Sequence, residues 1–155
     1  MQGRAPLAAN LHLTLVFVGD ISARELPSLS AVGKAAAAAG APLSLNLDRG
    51  GMFRASGIAW IGASSSPASL LRVVQSLTAG LWELGIVVDL REFVPHITLA
   101  RRCRRAGAIA FDSPIVWPIG RIALYASEAG VSGPEYRELD GWALGGSTGR
   151  DSVTL

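Results

Sequence analysis

Near the start of the chain, Asn10-Leu-His-Leu-Thr-Leu-Val-Phe-Val-Gly-Asp20 alternates apolar and polar residues. Such alternation predicts a half-buried strand over about 11–18, with His12 and Thr14 on one face and Leu11, Leu13, Leu15 and Phe17 turned towards a core. The same device returns 84 positions later as Pro95-His-Ile-Thr-Leu-Ala-Arg101. Together the two segments hold both histidines of the chain. Each puts an acid/base group beside a hydroxyl on one strand face, with an apolar face behind it.

A chain of 155 residues suits one domain with a core large enough to need no disulfide or metal staple. Its single cysteine, Cys103, excludes an internal disulfide and any multi-cysteine metal site. No apolar run is long enough for a bilayer, and Met1-Gln-Gly-Arg-Ala-Pro6 has no signal-peptide core. A cytoplasmic protein with no membrane partner is expected. The net charge of +2 does not by itself demand nucleic acid. Arg101, Arg102, Arg104 and Arg105, however, cluster directly after the second His-Thr segment. Such a cluster is commonly a solvated loop; its position beside a candidate site raises anion binding as the alternative.

A helix is expected from Ser22 to about 39, with Pro27 in its first turn, an alanine run at 35–39 suited to close packing, and Gly40 as C-cap. Strands are expected over 43–48 and 56–62, joined by a turn-rich loop at 49–54. Ser66-Pro67 reads as an N-cap with proline at the first helical position. Leu70, Val74, Leu77, Leu81 and Leu84 then form an apolar helical stripe ending at Gly85. Further strands are expected at 86–90, 95–101, 114–118, 120–127 and 135–144, with a turn at 130–134. The glycine-rich tail 145–155 reads as disordered. Two helices among strands with tight late turns indicate an α+β fold with mostly antiparallel sheets.

Two imidazoles suit phosphoryl transfer: one removes the proton of the attacking oxygen while the other protonates the leaving oxygen. Imidazole exchanges protons near neutral pH, and a hydroxyl two residues along could donate to a non-bridging phosphate oxygen. No carboxylate or cysteine cluster offers a competing metal centre. A single histidine on a strand is more often a packed or surface residue, and threonine is common in strands. For either motif alone that plain reading prevails; the near-identical pair, with no histidine elsewhere, reverses the balance.

The text Asn10-Leu-His-Leu-Thr-Leu-Val-Phe-Val-Gly19 and Phe93-Val-Pro-His-Ile-Thr-Leu-Ala-Arg101 resembles the two-histidine phosphoesterases, specifically the RNA 2',3'-cyclic phosphodiesterases also called 2'-5' RNA ligases. Gly57-Ile-Ala-Trp-Ile-Gly62, Leu124-Tyr-Ala-Ser-Glu128 and Gly133-Pro-Glu-Tyr136 add weaker matches, so the likeness runs over about residues 6–144. It implies a bilobed α+β fold over residues 1–144, with flanking helices and a central cleft to which each half contributes one His-x-Thr strand. It also implies opening of an RNA or nucleotide 2',3'-cyclic phosphate to a 2'-phosphate without metal or other cofactor. Carried over by position, His96 becomes the base and His12 the acid, an assignment the sequence leaves reversible. Thr14 and Thr98 would hold phosphate oxygens, and Arg101 would contact phosphate. Phe17 and Tyr125 would stack on bases, although core packing is the commoner role for such aromatics.

Strand alternation gives Arg101 the wrong parity to share a face with His96 and Thr98 unless the strand has ended or bulged. Two departures from the family pattern stand out. The likeness implies an apolar strand and a helix ahead of the first motif for which this sequence shows no text, an expected gap that would leave a sheet edge uncovered. Val16 replaces a residue that is often basic, removing one expected phosphate contact. A non-catalytic nucleotide- or RNA-binding module remains the rival from another class. Ligation of 2'-5' joints, the reverse of the same chemistry, needs the same groups.

Overall fold

The computed structural model describes residues 3–89, 91–104, 109, 111–130 and 133–146. Helix α1 spans Leu26–Ala39 and α2 spans Ala68–Glu83. The strands are β1 (Leu43–Leu47), β2 (Arg49–Phe53), β3 (Ile58–Gly62), β4 (His96–Ala100), β5 (Ile115–Ile119), β6 (Arg121–Gly130) and β7 (Gly133–Ala143). They pair antiparallel throughout, as β1–β5, β2–β3–β4 and β6–β7. The α+β expectation is therefore borne out. No helix among the described residues is long and apolar enough to cross a membrane.

A 3-10 turn at Ala23–Glu25 leads into α1. Its start is closed by the Ser22 N–H donating to the Glu25 carboxylate at 2.7 Å. Pro27 falls in the first turn, where its missing N–H costs nothing. The alanine run does what its small volume allows: Ala36 and Ala37 are fully buried against Val73 and Leu144. Close approach is also why Gly33 is glycine, since a Cβ there would sit 2.2 Å from the Trp142 ring. In α2 the buried positions are Leu70, Val73 and Leu81. Val73, not Val74, lies deepest, and Leu84 is exposed, so the buried stripe is rotated from the expected one. The residue capping α2 is Pro67 rather than Ser66, and no side chain caps that end.

Four other expectations need correction. Residues 49–53 form a strand, not a loop. Gly51 lies opposite Trp60, whose indole covers it so closely that a Cβ would be 2.3 Å from the ring. Residues 86–89 form no strand, although Val88 is buried against Leu29 and Leu81. The segment 11–18 is not a regular strand either: it carries one antiparallel bridge, Leu13 to Ile97. With no continuous partner, its alternation breaks. Leu13 and Leu15 pack into the core around Leu45 and Leu70, but Val16 and Val18 pack around Leu29 and Leu81. Leu11 and Phe17 are exposed, Phe17 at 75%. Of the glycine-rich tail, Gly145 closes a turn with Leu144, Gly146 is a bend, and residues 147–155 lie outside the described residues, as do Leu90 and Arg105.

Candidate active site

The bridge between Leu13 and Ile97 fixes how the two motifs face one another. Extending its antiparallel register by one residue each way puts His12 opposite Thr98 and Thr14 opposite His96. By strand alternation all four side chains would project to one face, since Leu13 and Ile97 take the other into the core around Leu45. The result is a two-by-two array with the imidazoles at diagonal corners. Such diagonal positions are about 7–8 Å apart between antiparallel strands.

Both imidazoles are oriented by the same local contact. His12 Nδ1 lies 2.7 Å from the Asn10 carbonyl oxygen, and His96 Nδ1 lies 2.6 Å from that of Val94. A carbonyl only accepts, so each Nδ1 carries the proton and each Nε2 is left to exchange one. Both rings are half-buried. His12 meets the Tyr136 ring edge-on at 4.7 Å between centroids. His96 meets Phe53 edge-on at 4.9 Å, with Trp60 at 6.1 Å.

The sheet explains why β4 can carry this. Gly62 lies opposite His96 and Trp60 opposite Thr98. A Cβ at Gly62 would sit 2.3 Å from the Pro95 carbonyl oxygen, so the backbone ahead of His96 needs glycine beside it. Trp60 underlies the site and is buried, and its Nε1 finds no acceptor among the described residues. Arg49 stacks over the Trp60 ring at 5.4 Å.

A cleft of about 380 Å³ opens on the His12 side. His12, Thr98, Arg101, Arg102, Asn10 and Tyr136 line it, with Arg4, Ala5, Pro6, Leu7 and Pro134 at its wall. The register of β3 with β4 runs Trp60–Thr98 and then Ala59–Ala100, leaving Leu99 as an extra residue. This bulge resolves the parity of Arg101. Ala100 takes the face of Ala59, where both are buried with Cys103, and Arg101 returns to the face of Thr98. Arg101 then exchanges both backbone hydrogen bonds with Arg4 at 2.9 Å. Arg102 follows at φ 59°, the one non-glycine residue with positive φ among those described, a conformation costing on the order of 1–3 kcal/mol. One residue of the N-terminal segment, Arg4, thus pairs just beyond the end of β4.

His12, Thr98 and Arg101 therefore share one cleft. His96 and Thr14 belong to the same array through the register, but they do not line that cleft. Phe17 and Tyr125 do not line it either. The Tyr125 hydroxyl donates to Glu138 Oε2 at 2.8 Å, and Arg121 pairs with the same carboxylate at 2.7 Å. The bond from Arg121, then that from Tyr125, holds the Glu138 carboxyl down at about 2, and the bond to Glu138 raises the Tyr125 phenol above its usual value. Among the described residues no group of three or more His, Cys, Asp or Glu side chains converges as a metal site.

Several residues at the site carried no role in the sequence. Arg49 and Phe53 lay in a segment read as a loop. Asn10 and Tyr136 come from opposite ends of the chain: the Asn10 amide donates to the Pro134 carbonyl at 2.8 Å, fixing the His12 segment to β7. Both stand in text quoted for the family likeness, Asn10 in its first motif and Tyr136 near its end, but neither carried a role there.

Two His-x-Thr segments joined by an antiparallel bridge beside a basic cleft are the arrangement expected of a two-histidine phosphoesterase. The chain belongs to the 2'-5' RNA ligase superfamily, whose family model matches residues 3–130. It is 36% identical to the RNA 2',3'-cyclic phosphodiesterase of Thermus thermophilus over 92% of this chain and 76% of that one. It is 33% identical to the Escherichia coli protein of the same name, over 92% and 80%. Among solved structures, a Thermus thermophilus protein superposes with a TM-score of 0.82 at 33% identity, over 94% of this chain and 85% of that one. Escherichia coli LigT complexed with 3'-AMP superposes with a TM-score of 0.79 at 30% identity, over 92% and 81%.

Proposed function

We propose that the chain hydrolyses 2',3'-cyclic phosphate ends of RNA or oligonucleotides to 2'-phosphates. The observation that carries this reading is the Leu13–Ile97 bridge, which sets each histidine opposite the other motif's threonine. Displacement at phosphorus runs with attacking and leaving oxygens roughly in line. A base and an acid are then needed on opposite sides of the phosphate, as diagonal imidazoles supply. The neutral His96 Nε2 takes a proton from water as its oxygen bonds to phosphorus. The P–O3' bond breaks, and the protonated His12 Nε2 delivers its proton to the 3' oxygen. A 2'-phosphate and a free 3'-hydroxyl remain. The Thr14 and Thr98 hydroxyls donate to the non-bridging oxygens, and the Arg101 guanidinium offsets their charge. No step in this scheme draws on a metal ion or another cofactor.

The crystal form of LigT holding 3'-AMP, and another holding phosphate, support a nucleotide phosphate as the ligand of this cleft. A cytoplasmic setting goes with an RNA substrate. Ligation of 2'-5' ends would run the same proton transfers in reverse. The test is hydrolysis of a 2',3'-cyclic nucleotide in EDTA by the wild type, His12→Ala and His96→Ala. Loss in both variants is expected. Equal turnover in all three rejects the assignment, and nucleotide binding without turnover in the wild type points to a binding module.

A further inference from the structure

We infer that Arg102 forms a second phosphate subsite, which takes the phosphate on the 5' side of the nucleotide bearing the cyclic end. This rests on the phosphodiesterase reading and extends it to substrate length. A cyclic phosphate is a diester with one negative charge. His12, Thr98 and Arg101 already face it, yet Arg102 lines the same cleft, and among the described residues no carboxylate does. Among the described residues neither Arg101 nor Arg102 forms an ion pair. The cleft thus holds more positive charge than a single cyclic phosphate uses.

The backbone supports the same conclusion. The bulge at Leu99 turns Arg101 to the cleft, and the left-handed conformation of Arg102 turns the next residue to it as well. A regular strand would send adjacent side chains to opposite faces. Here two consecutive residues, with Cα atoms about 3.8 Å apart, bring planar guanidinium forks to one cleft. Backbone held in a sparsely populated region is a reason to look for function in the side chain it presents. Guanidinium forks match phosphate oxygens in pairs. Arg101 would then serve the reacting phosphate and Arg102 its neighbour one nucleotide back.

The second phosphate could be the internucleotide phosphate of RNA or the 5'-phosphate of a mononucleotide, so the experiment separates them. Steady-state kcat/KM is measured for uridine 2',3'-cyclic phosphate, its 5'-phosphorylated form and the dinucleotide UpU ending in the cyclic phosphate. Wild type, Arg102→Gly and Arg102→Lys are compared. Glycine accepts the positive φ, so Arg102→Gly removes the side chain without disturbing the turn. In the wild type, substrates with a second phosphate are expected to be preferred by on the order of tenfold. That preference should vanish in Arg102→Gly and partly return in Arg102→Lys. The salt slope for the dinucleotide should fall by about 0.7 in Arg102→Gly, the value for one phosphate contact on a single strand. A preference for the dinucleotide alone assigns the subsite to RNA; an equal preference for the 5'-phosphorylated mononucleotide assigns it to any 5'-phosphate. Turnover with no preference, or a preference unmoved by Arg102→Gly, overturns the subsite alone. If no substrate turns over, the phosphodiesterase reading fails, and dinucleotide affinity in the wild type and Arg102→Gly still decides the subsite.

Discussion

The two histidines sit in very different surroundings. His96 begins β4, which pairs along its length with β3, and its ring rests against Phe53 and near Trp60. His12 lies in an extended segment with no strand of its own. That segment is held by the Leu13–Ile97 bridge, the Asn10 amide on Pro134 and the edge of Tyr136. Yet the imidazoles are oriented alike, each by the carbonyl two residues before it. The orientation of each ring is therefore local to the tripeptide ending in that histidine. The sheet supplies only register, and one bridge is enough to transmit it.

If the halves are chemically equivalent, His12→Ala and His96→Ala should each lower kcat/KM by about 10²–10⁴-fold, the span of a lost general acid or base. A loss in one variant only would break the equivalence. The threonines sharpen the comparison. Replacing one donor to a transition-state oxyanion costs at most about 10²–10³-fold. Thr98→Val, half-buried beside Arg101, should fall nearer that range than the exposed Thr14→Val. Single-turnover rates on a cyclic mononucleotide check this.

Stability should expose the difference in support. Gly62→Ala forces a Cβ against the Pro95 carbonyl, a backbone atom that cannot swing away. A loss of about 1–3 kcal/mol is expected. Asn10→Ala removes one exposed hydrogen bond from the His12 half and should cost about 0.5–1.5 kcal/mol. Urea unfolding of both variants tests the order; equal losses would mean that the His12 segment is held as rigidly as β4.

The same asymmetry governs what could be read from the chain. Alternation marks Leu13 and Leu15 as core and His12 and Thr14 as a shared face, because period two holds over those four residues. It fails at Val16, where no partner strand continues and the chain turns to a different apolar cluster. The β2 strand is hidden by Gly50 and Gly51, which stand where a Cβ would strike the Ile109 side chain and the Trp60 ring respectively, not in a turn. Arg101 is placed correctly only once a bulge is allowed, and a bulge leaves no mark on residue type. Tyr136 against His12 is a contact between distant segments, for which neither period two nor period 3.6 leaves a trace. In α2, Val73 and Val74 are the same residue type, so periodicity alone could not choose which lies deepest.

The smallest expected effect tests whether the β6–β7 hairpin, which anchors the His12 half through Pro134 and Tyr136, is itself tuned by charge. Glu138 accepts from Arg121 and Tyr125, and its carboxyl is held at about 2 against a usual 4.5. A carboxyl depressed on folding adds stability that is fully present above its unfolded value. That contribution shrinks as pH falls through 4.5 and is gone near 2. Wild type should therefore exceed Glu138→Gln in Tm at pH 5–7, and the two curves should converge between pH 4.5 and 2. Because the carboxylate and Arg121 are both solvent-exposed, salt should shrink the gap at neutral pH as well. A gap that widens on acidification would mean that the hairpin gains nothing from the ionised Glu138. The hairpin would then hold His12 through Asn10 and Tyr136 with no help from the charge on Glu138.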